Sequence, residues 1–238
     1  MITRRFLLSL LFVFTATQLA AAELTVYSAE YSASANGLKA KATRTLSQDD
    51  SGNYHLNNLL VAEFAGVELA SLNETSTFRL HASTPLPQSY SYSLTGLGHE
   101  TKSIVFDWDA GVAVSAEDSH SWELPLEPNT QDPLSYQAAV QLLLAEGGLT
   151  ELTWPIASGN EIEIQQFRID GEEVLETPAG RLNCIKLVRV RADETKSTTI
   201  WLAKDWAYLL TKIEQVSSGV RIVLELESAV VNGVVVAN

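Results

Sequence analysis

Residues 132–148, DPLSYQAAVQLLLAEGG, constrain the fold more than any other stretch, because they form the one confidently helical segment past the N-terminus and strand-like sequence lies on both sides. The expected helix spans residues 132–146. Asp132 would accept hydrogen bonds from the free amides at its start, and Pro133 at the first helical position gives up an amide hydrogen that had no partner. Gly147 and Gly148 stop it where a left-handed residue is wanted. Its polar side chains are few: Gln137 and Gln141 one turn apart, with Ser135 near the start. A helix this apolar must be covered by protein or by ligand. Burying Leu134, Val140, Leu142, Leu143 and Leu144 would contribute roughly 1.5–3 kcal/mol each, before the ordering entropy that offsets much of it.

Elsewhere the chain alternates. Lys39, Lys41, Thr43 and Thr45 share one face of a strand that puts Ala40, Ala42 and Leu46 on the other. Tyr54, Leu56, Asn58, Leu60, Ala62 and Phe64 share one side of the next, and Ala65-Gly66 reads as a bend or bulge before extended chain resumes. Pro85 and Pro87 suggest an irregular crossing. Asn36-Gly37, Asp49-Asp50-Ser51-Gly52, Asp170-Gly171, Pro178-Ala179-Gly180 and Asn232-Gly233 read as turns. Strands joined by such short turns must be mostly antiparallel neighbours. The expected fold is therefore mainly β: a large curved antiparallel sheet of about ten to twelve strands, or a partly closed β-barrel, packed around one central α-helix.

Residues 1–22 have the build of a cleavable secretory signal: Arg4 and Arg5, an apolar run from Phe6 to Phe14, then Ala20-Ala21-Ala22. Residues 23–238 then read as a single β-rich periplasmic domain. No later apolar run is long enough for a transmembrane span. The net charge of −13 repels phosphate backbones, which argues against nucleic acid as a partner. Cys184 is the only cysteine, so an internal disulfide or cysteine metal cluster is excluded, and its place in an alternating strand suggests a buried, inert thiol.

Several runs resemble a known family. Asp132-Pro133-Leu134-Ser135 opens the helix; Asp170-Gly171-Glu172 and Thr177-Pro178-Ala179-Gly180 follow, then Thr199-Ile200-Trp201-Leu202-Ala203 and Lys212-Ile213-Glu214-Gln215. Together with Phe106-Asp107-Trp108 nearer the N-terminus, they resemble the exported bacterial family catalogued as domain of unknown function 3108. That resemblance implies a curved antiparallel sheet with a helix against its inner face, similar to the half-barrel of lipoprotein carriers. It brings no catalytic residue with it, and a fold analogy assigns no function.

Catalytic signatures are absent from the sequence. There is no Gly-x-Ser-x-Gly elbow, no histidine pair at metal-ligand spacing among His55, His81, His99 and His120, and no phosphate-binding glycine loop. Asp107 and Asp109 around Trp108 read as turn formers rather than a carboxylate pair. No cofactor is expected. A concave face lined by apolar side chains suits a lipid or acyl chain if the helix fills it only partly, with Tyr136, Trp154 and Trp201 as candidate wall residues. If the helix fills it completely, all three are core, and the protein becomes an envelope scaffold that meets a protein partner through its surface. A hydrolase of envelope polymers is a third, weaker reading.

Overall fold

The computed structural model describes residues 24–35, 38–148, 150–217 and 219–237. The leader expected at residues 1–22 and the turn expected at Asn36-Gly37 lie outside the described residues. Eight strands precede the helix: β1 (Tyr27–Ala35), β2 (Leu38–Gln48), β3 (Tyr54–Phe64), β4 (Val67–His81), β5 (Thr84–Gly96), β6 (Glu100–Asp107), β7 (Val112–Glu117) and β8 (His120–Pro125). The helix α1 (Ser135–Glu146) is followed by β9 (Glu151–Ser158), β10 (Glu161–Thr177), β11 (Gly180–Val190), β12 (Ser197–Ala203), β13 (Leu209–Ser217), β14 (Val220–Val231) and the short β15 (Val234–Val235).

The sheet runs β8-β7-β6-β5-β4-β3-β2-β1-β14-β13-β12-β11-β10-β9, with β15 added to β14. Each neighbour in this order is antiparallel. The two halves of the chain are thus two meanders, zipped where β1 meets β14 between Tyr27↔Val231 and Ala35↔Ile222. Curling brings the two ends, β8 and β9, round into a nearly closed barrel. No ladder joins them. The segment between β8 and α1 lies there instead, and Gln131 makes a parallel bridge to Ile156 of β9. Its amide donates to the Pro155 carbonyl at 2.8 Å, and its carbonyl accepts from Ala157 at 2.9 Å. Its side-chain Nε2 reaches across to the Pro85 carbonyl on β5 at 2.9 Å.

Alternation sets the inside. Tyr27, Ala29, Tyr31 and Ala33 of β1 are buried, as are Leu46, Leu56, Phe78, Ile104 and Ala113 on the strands that follow. The helix lies within this wall and packs against β4, β5 and β9, burying Ser135, Ala138, Ala139, Val140, Leu142 and Leu144. Leu143 is only half-buried. Gln137 and Gln141 are half-buried too, and Gln141 Nε2 donates to the Tyr208 carbonyl at 3.2 Å. The helix begins three residues later than expected, yet Asp132 still serves its start. Its Oδ1 accepts from the Leu134 and Ser135 amides at 2.7 and 2.8 Å, while the Asp132 amide donates to Ser135 Oγ at 2.9 Å. Two free donors are thereby satisfied by one carboxylate. At the other end Gly147, with φ +76°, donates to the Leu143 carbonyl at 3.3 Å.

Four local expectations need correction. Ala65-Gly66 does not bend one strand; it reverses the chain, with φ +52° and +80° and Phe64 opposite Val67. Two successive positive φ angles are the turn geometry that matches strand twist. Pro85 and Pro87 sit inside β5, not in a crossing, and β5 bulges at Gln88, beside Pro87, opposite Thr77 and Phe78 of β4. Asp170-Gly171 is a bulge within the 17-residue β10, where Gly171 takes φ +96°. The sheet path also holds fourteen strands rather than ten to twelve. Cys184 is free and buried in β11, and Asn232-Gly233 turns β14 into β15.

Candidate ligand site inside the barrel

Because register is continuous from β2 to β7, rows of inward side chains run across five strand boundaries. One row is Leu46, Leu56, Ser76, Tyr90, Ile104 and Ser115, each opposite the next and all buried. Two residues along each strand is the row Arg44, Asn58, Glu74, Tyr92, Lys102 and Glu117. Side chains two apart share a face, so the inner wall carries a charged and polar belt directly beside a buried row in which Leu46, Leu56 and Ile104 are joined by Ser76, Tyr90 and Ser115.

Most of the belt is internally paired. Tyr90 donates to Glu74 Oε1 at 2.7 Å, and Asn58 donates to Glu74 Oε2 at 3.4 Å. Lys102 bridges Glu100 at 3.1 Å and Glu117 at 2.8 Å, with its ammonium 5.6 Å from the Tyr92 ring centre. Burial pushes the Tyr90 hydroxyl well above its ordinary range, and the Glu74 charge adds to this. These groups and Pro133 at the helix entry line an open hollow of about 230 Å³.

Arg44 ends the belt and differs from the rest. It is 6 % exposed, and its Nε donates to the Tyr27 hydroxyl at 2.7 Å. Among the described residues no carboxylate pairs with it. Burial opposes its charge, but the Tyr27 and Tyr31 phenols outweigh that and raise its pKa. Arg44 borders a small cavity beneath the helix, whose wall includes Tyr136, Gln137, Val140, Leu187 and Ile200. That cavity measures about 20 Å³, room for about one water. The helix therefore leaves almost no space between itself and this part of the wall.

Of the three candidate wall residues, two come together. Tyr136 lines the cavity and stacks on Phe167 at 5.7 Å; Trp154 meets the same Phe167 edge-on at 6.4 Å and lies 6.5 Å from Tyr136. Trp154 is core, 3 % exposed, and does not border the cavity. Trp201 faces the other way. Its cross-strand partners are Lys186 and Lys212, whose ammonium groups lie 5.9 and 5.2 Å from its ring centre, and its indole donates to Glu173 at 2.8 Å. Its neighbours Ile200 and Leu202 are the ones that reach the cavity.

Arg44 escaped the sequence reading although its signal was present. It falls between Ala42 and Leu46 on the apolar side of β2, where a cation is out of place. A larger hollow, about 510 Å³, is an open groove along Ser32, Lys39, Lys41, Glu63 and Glu225. Ser32 and Lys41 alternate with the buried Tyr31 and the half-buried Ala42, so this groove belongs to the outer surface. Among the described residues there is no group of three or more metal-ligating side chains, and no helix is long and apolar enough to cross a membrane.

The family described as "Protein of unknown function (DUF3108)" matches residues 26–227. The crystal structure of a beta-barrel-like protein of domain of unknown function DUF1849 from Brucella abortus superimposes with a TM-score of 0.57 at 9 % identity, covering 89 % of this chain and 99 % of that one. At that identity the likeness speaks to the fold. No curated protein matches the sequence significantly.

Proposed function

The chain belongs to the DUF3108 family, and from that premise we propose that it is an exported, non-enzymatic protein of the periplasm that binds a hydrophobic ligand or a lipid-bearing envelope component within its barrel. The leader-like residues 1–22 motivate the location. The observation that carries the binding reading is the arrangement of the helix. It occupies an apolar bore as a separate plug, tied at its entry through Asp132 and Gln131 and further along through Gln141 to the Tyr208 carbonyl. A plug held by side-chain ties, beside a barrel edge without a ladder, can give way to an acyl chain of similar girth. The cavity beside Arg44 is too small for an acyl chain while the helix is seated, so binding there requires the helix to shift. Native mass spectrometry of gently purified protein, joined to titration with a fluorescent acyl probe, tests this. The expected result is a retained lipid or saturable probe binding; neither would refute it.

A second reading has its own support. Phe64, Val67 and Leu97 are 71 %, 62 % and 74 % exposed on two neighbouring hairpins, where the Leu97 amide bonds the Leu69 carbonyl at 2.8 Å. With the bore filled, these apolar tips suit contact with an envelope protein. Crosslinking that returns one stoichiometric protein, lost on replacing Phe64 and Leu97 by Ser, would favour this second reading.

A further inference from the structure

The buried cation of the inner wall narrows the ligand class, and this inference rests on the binding reading above. The chain has 29 acidic and 16 basic side chains, so carboxylates are plentiful. Even so, among the described residues none pairs with Arg44. Its one hydrogen-bond partner is the Tyr27 hydroxyl, which leaves the two terminal amino groups of a nearly buried guanidinium at the edge of the cavity. A buried charge without a counter-charge is costly, and a guanidinium fork matches a carboxylate or phosphate.

Two further arginines act on Tyr136 of the cavity wall without lining the cavity themselves. Arg189 is the cross-strand partner of Phe167, the ring on which Tyr136 stacks. Arg189 shares a face of β11 with Leu187 of the cavity wall, and Arg191 follows just past the end of the strand. Glu163 neutralises Arg189 at 3.0 Å. Arg191 has no such ion pair: its Nη2 reaches Thr198 at 3.4 Å, and its Nε is buried with no partner. Arg44, Arg189 and Arg191 all act on the Tyr136 hydroxyl, offsetting part of the rise in its pKa that burial causes. Beyond the charges the wall is apolar.

We infer that Arg44, with Arg191 and the Tyr136 hydroxyl, forms an oxyanion site for the carboxylate or phosphate head of an amphiphile whose chain lies along Leu187, Ile200 and Leu202. The head supplies the missing counter-charge, and the chain takes the place the helix yields.

The test compares oleate, oleyl alcohol and inorganic phosphate on the full protein, each competing with a fluorescent acyl probe, in wild type, Arg44→Met, Arg44→Lys and Arg191→Gln. Wild type is expected to prefer oleate over oleyl alcohol by about tenfold or more, the worth of one charge-assisted contact. Arg44→Met should erase that preference by weakening oleate far more than oleyl alcohol, Arg44→Lys should keep most of it, and Arg191→Gln should reduce it. Equal binding of oleate and the alcohol by wild type, or equal losses of both in Arg44→Met, overturns the site and leaves hydrophobic binding standing. Strong binding of phosphate with no preference for oleate assigns the site to the free anion and overturns the head-group assignment. Binding of neither oleate nor the alcohol refutes the binding reading itself. If circular dichroism shows Arg44→Met unfolded, the wild-type preference and Arg191→Gln still decide.

Discussion

The Ser76 hydroxyl, on the inner face of β4, donates a 2.6 Å hydrogen bond to Asp132, 56 positions later at the entry to the helix. Both side chains are fully buried. The same carboxylate caps the first helical amides, so one group fixes the start of the helix and fastens it to the wall.

That contact predicts a pH signature. Burial lifts the Asp132 carboxyl to about 6 from its ordinary 3.8, against the opposing hydrogen bonds from Ser76, Ser135 and Leu134. A carboxyl that holds its proton more tightly in the folded state stabilises the fold most below pH about 4, and that contribution is lost as pH rises through about 6. The displacement is worth roughly 3 kcal/mol. Asp170, held low by Lys186 and Arg168, and Glu214, held low by Lys212 and Arg221, act in the opposite sense but are common to wild type and variant. Urea unfolding of wild type and Asp132→Asn at pH 4, 5 and 7 should therefore show the variant gaining about 3 kcal/mol relative to wild type as pH rises. A constant difference would refute this account of Asp132.

Gln131 carries the second prediction. Its Nε2 serves the Pro85 and Asn129 carbonyls at 2.9 and 3.1 Å, and the residue is fully buried. Gln131→Met keeps the volume but leaves both carbonyls without their donor, at a cost of about 1–3 kcal/mol. The thermal midpoint should fall by several degrees. Hydrogen exchange at the Ala157 amide, which bonds to the Gln131 carbonyl, should accelerate more than exchange in the β3–β4 ladder. Equal acceleration in both places would mean the residue is only ordinary core.

A glycine pair makes the third. Gly96 sits at φ +92°, where an added Cβ would lie 2.2 Å from the Leu69 carbonyl oxygen. Gly52 has a similar φ of +81° with nothing within 4 Å. Both pay the left-handed cost of about 1–2 kcal/mol on replacement by Ala, but only Gly96 also meets backbone. Gly96→Ala should be the more destabilised by at least about 1 kcal/mol in chemical denaturation. Equal losses would place the cost in φ alone.

What the sequence made legible was whatever its local chemistry determines. The helix was readable because Asp132-Pro133 and Gly147-Gly148 bracket an apolar run, and the antiparallel order followed from turns too short for any other connection. Side assignment was less secure where a residue type suits either face. Trp201 lies on the face of two lysines rather than in the bore, as plain alternation with Ile200 and Leu202 requires; the extra residue of the adjacent bulge, Thr211, is on β13. Asp170-Gly171 looked like a turn because glycine at positive φ serves turns and bulges alike. The meeting of Tyr27 with Val231 depends on how the whole sheet curls, and no local pattern states it. Arg44 was legible in principle, as a cation on the apolar side of an alternating strand.

A hoop welded all round has a fixed girth, whereas a split ring can spring. Everywhere else on the circumference of this molecule a full ladder of peptide hydrogen bonds sets the spacing of adjacent staves. Between β8 and β9, among the described residues, two backbone hydrogen bonds tie Gln131, in the segment after β8, to β9, and its side chain reaches back to β5. At about 0.5–1.5 kcal/mol each, those bonds can open while every ladder stays intact. The seam is therefore the place where the ring can part with the fewest backbone hydrogen bonds lost, directly beside the entry of the helix.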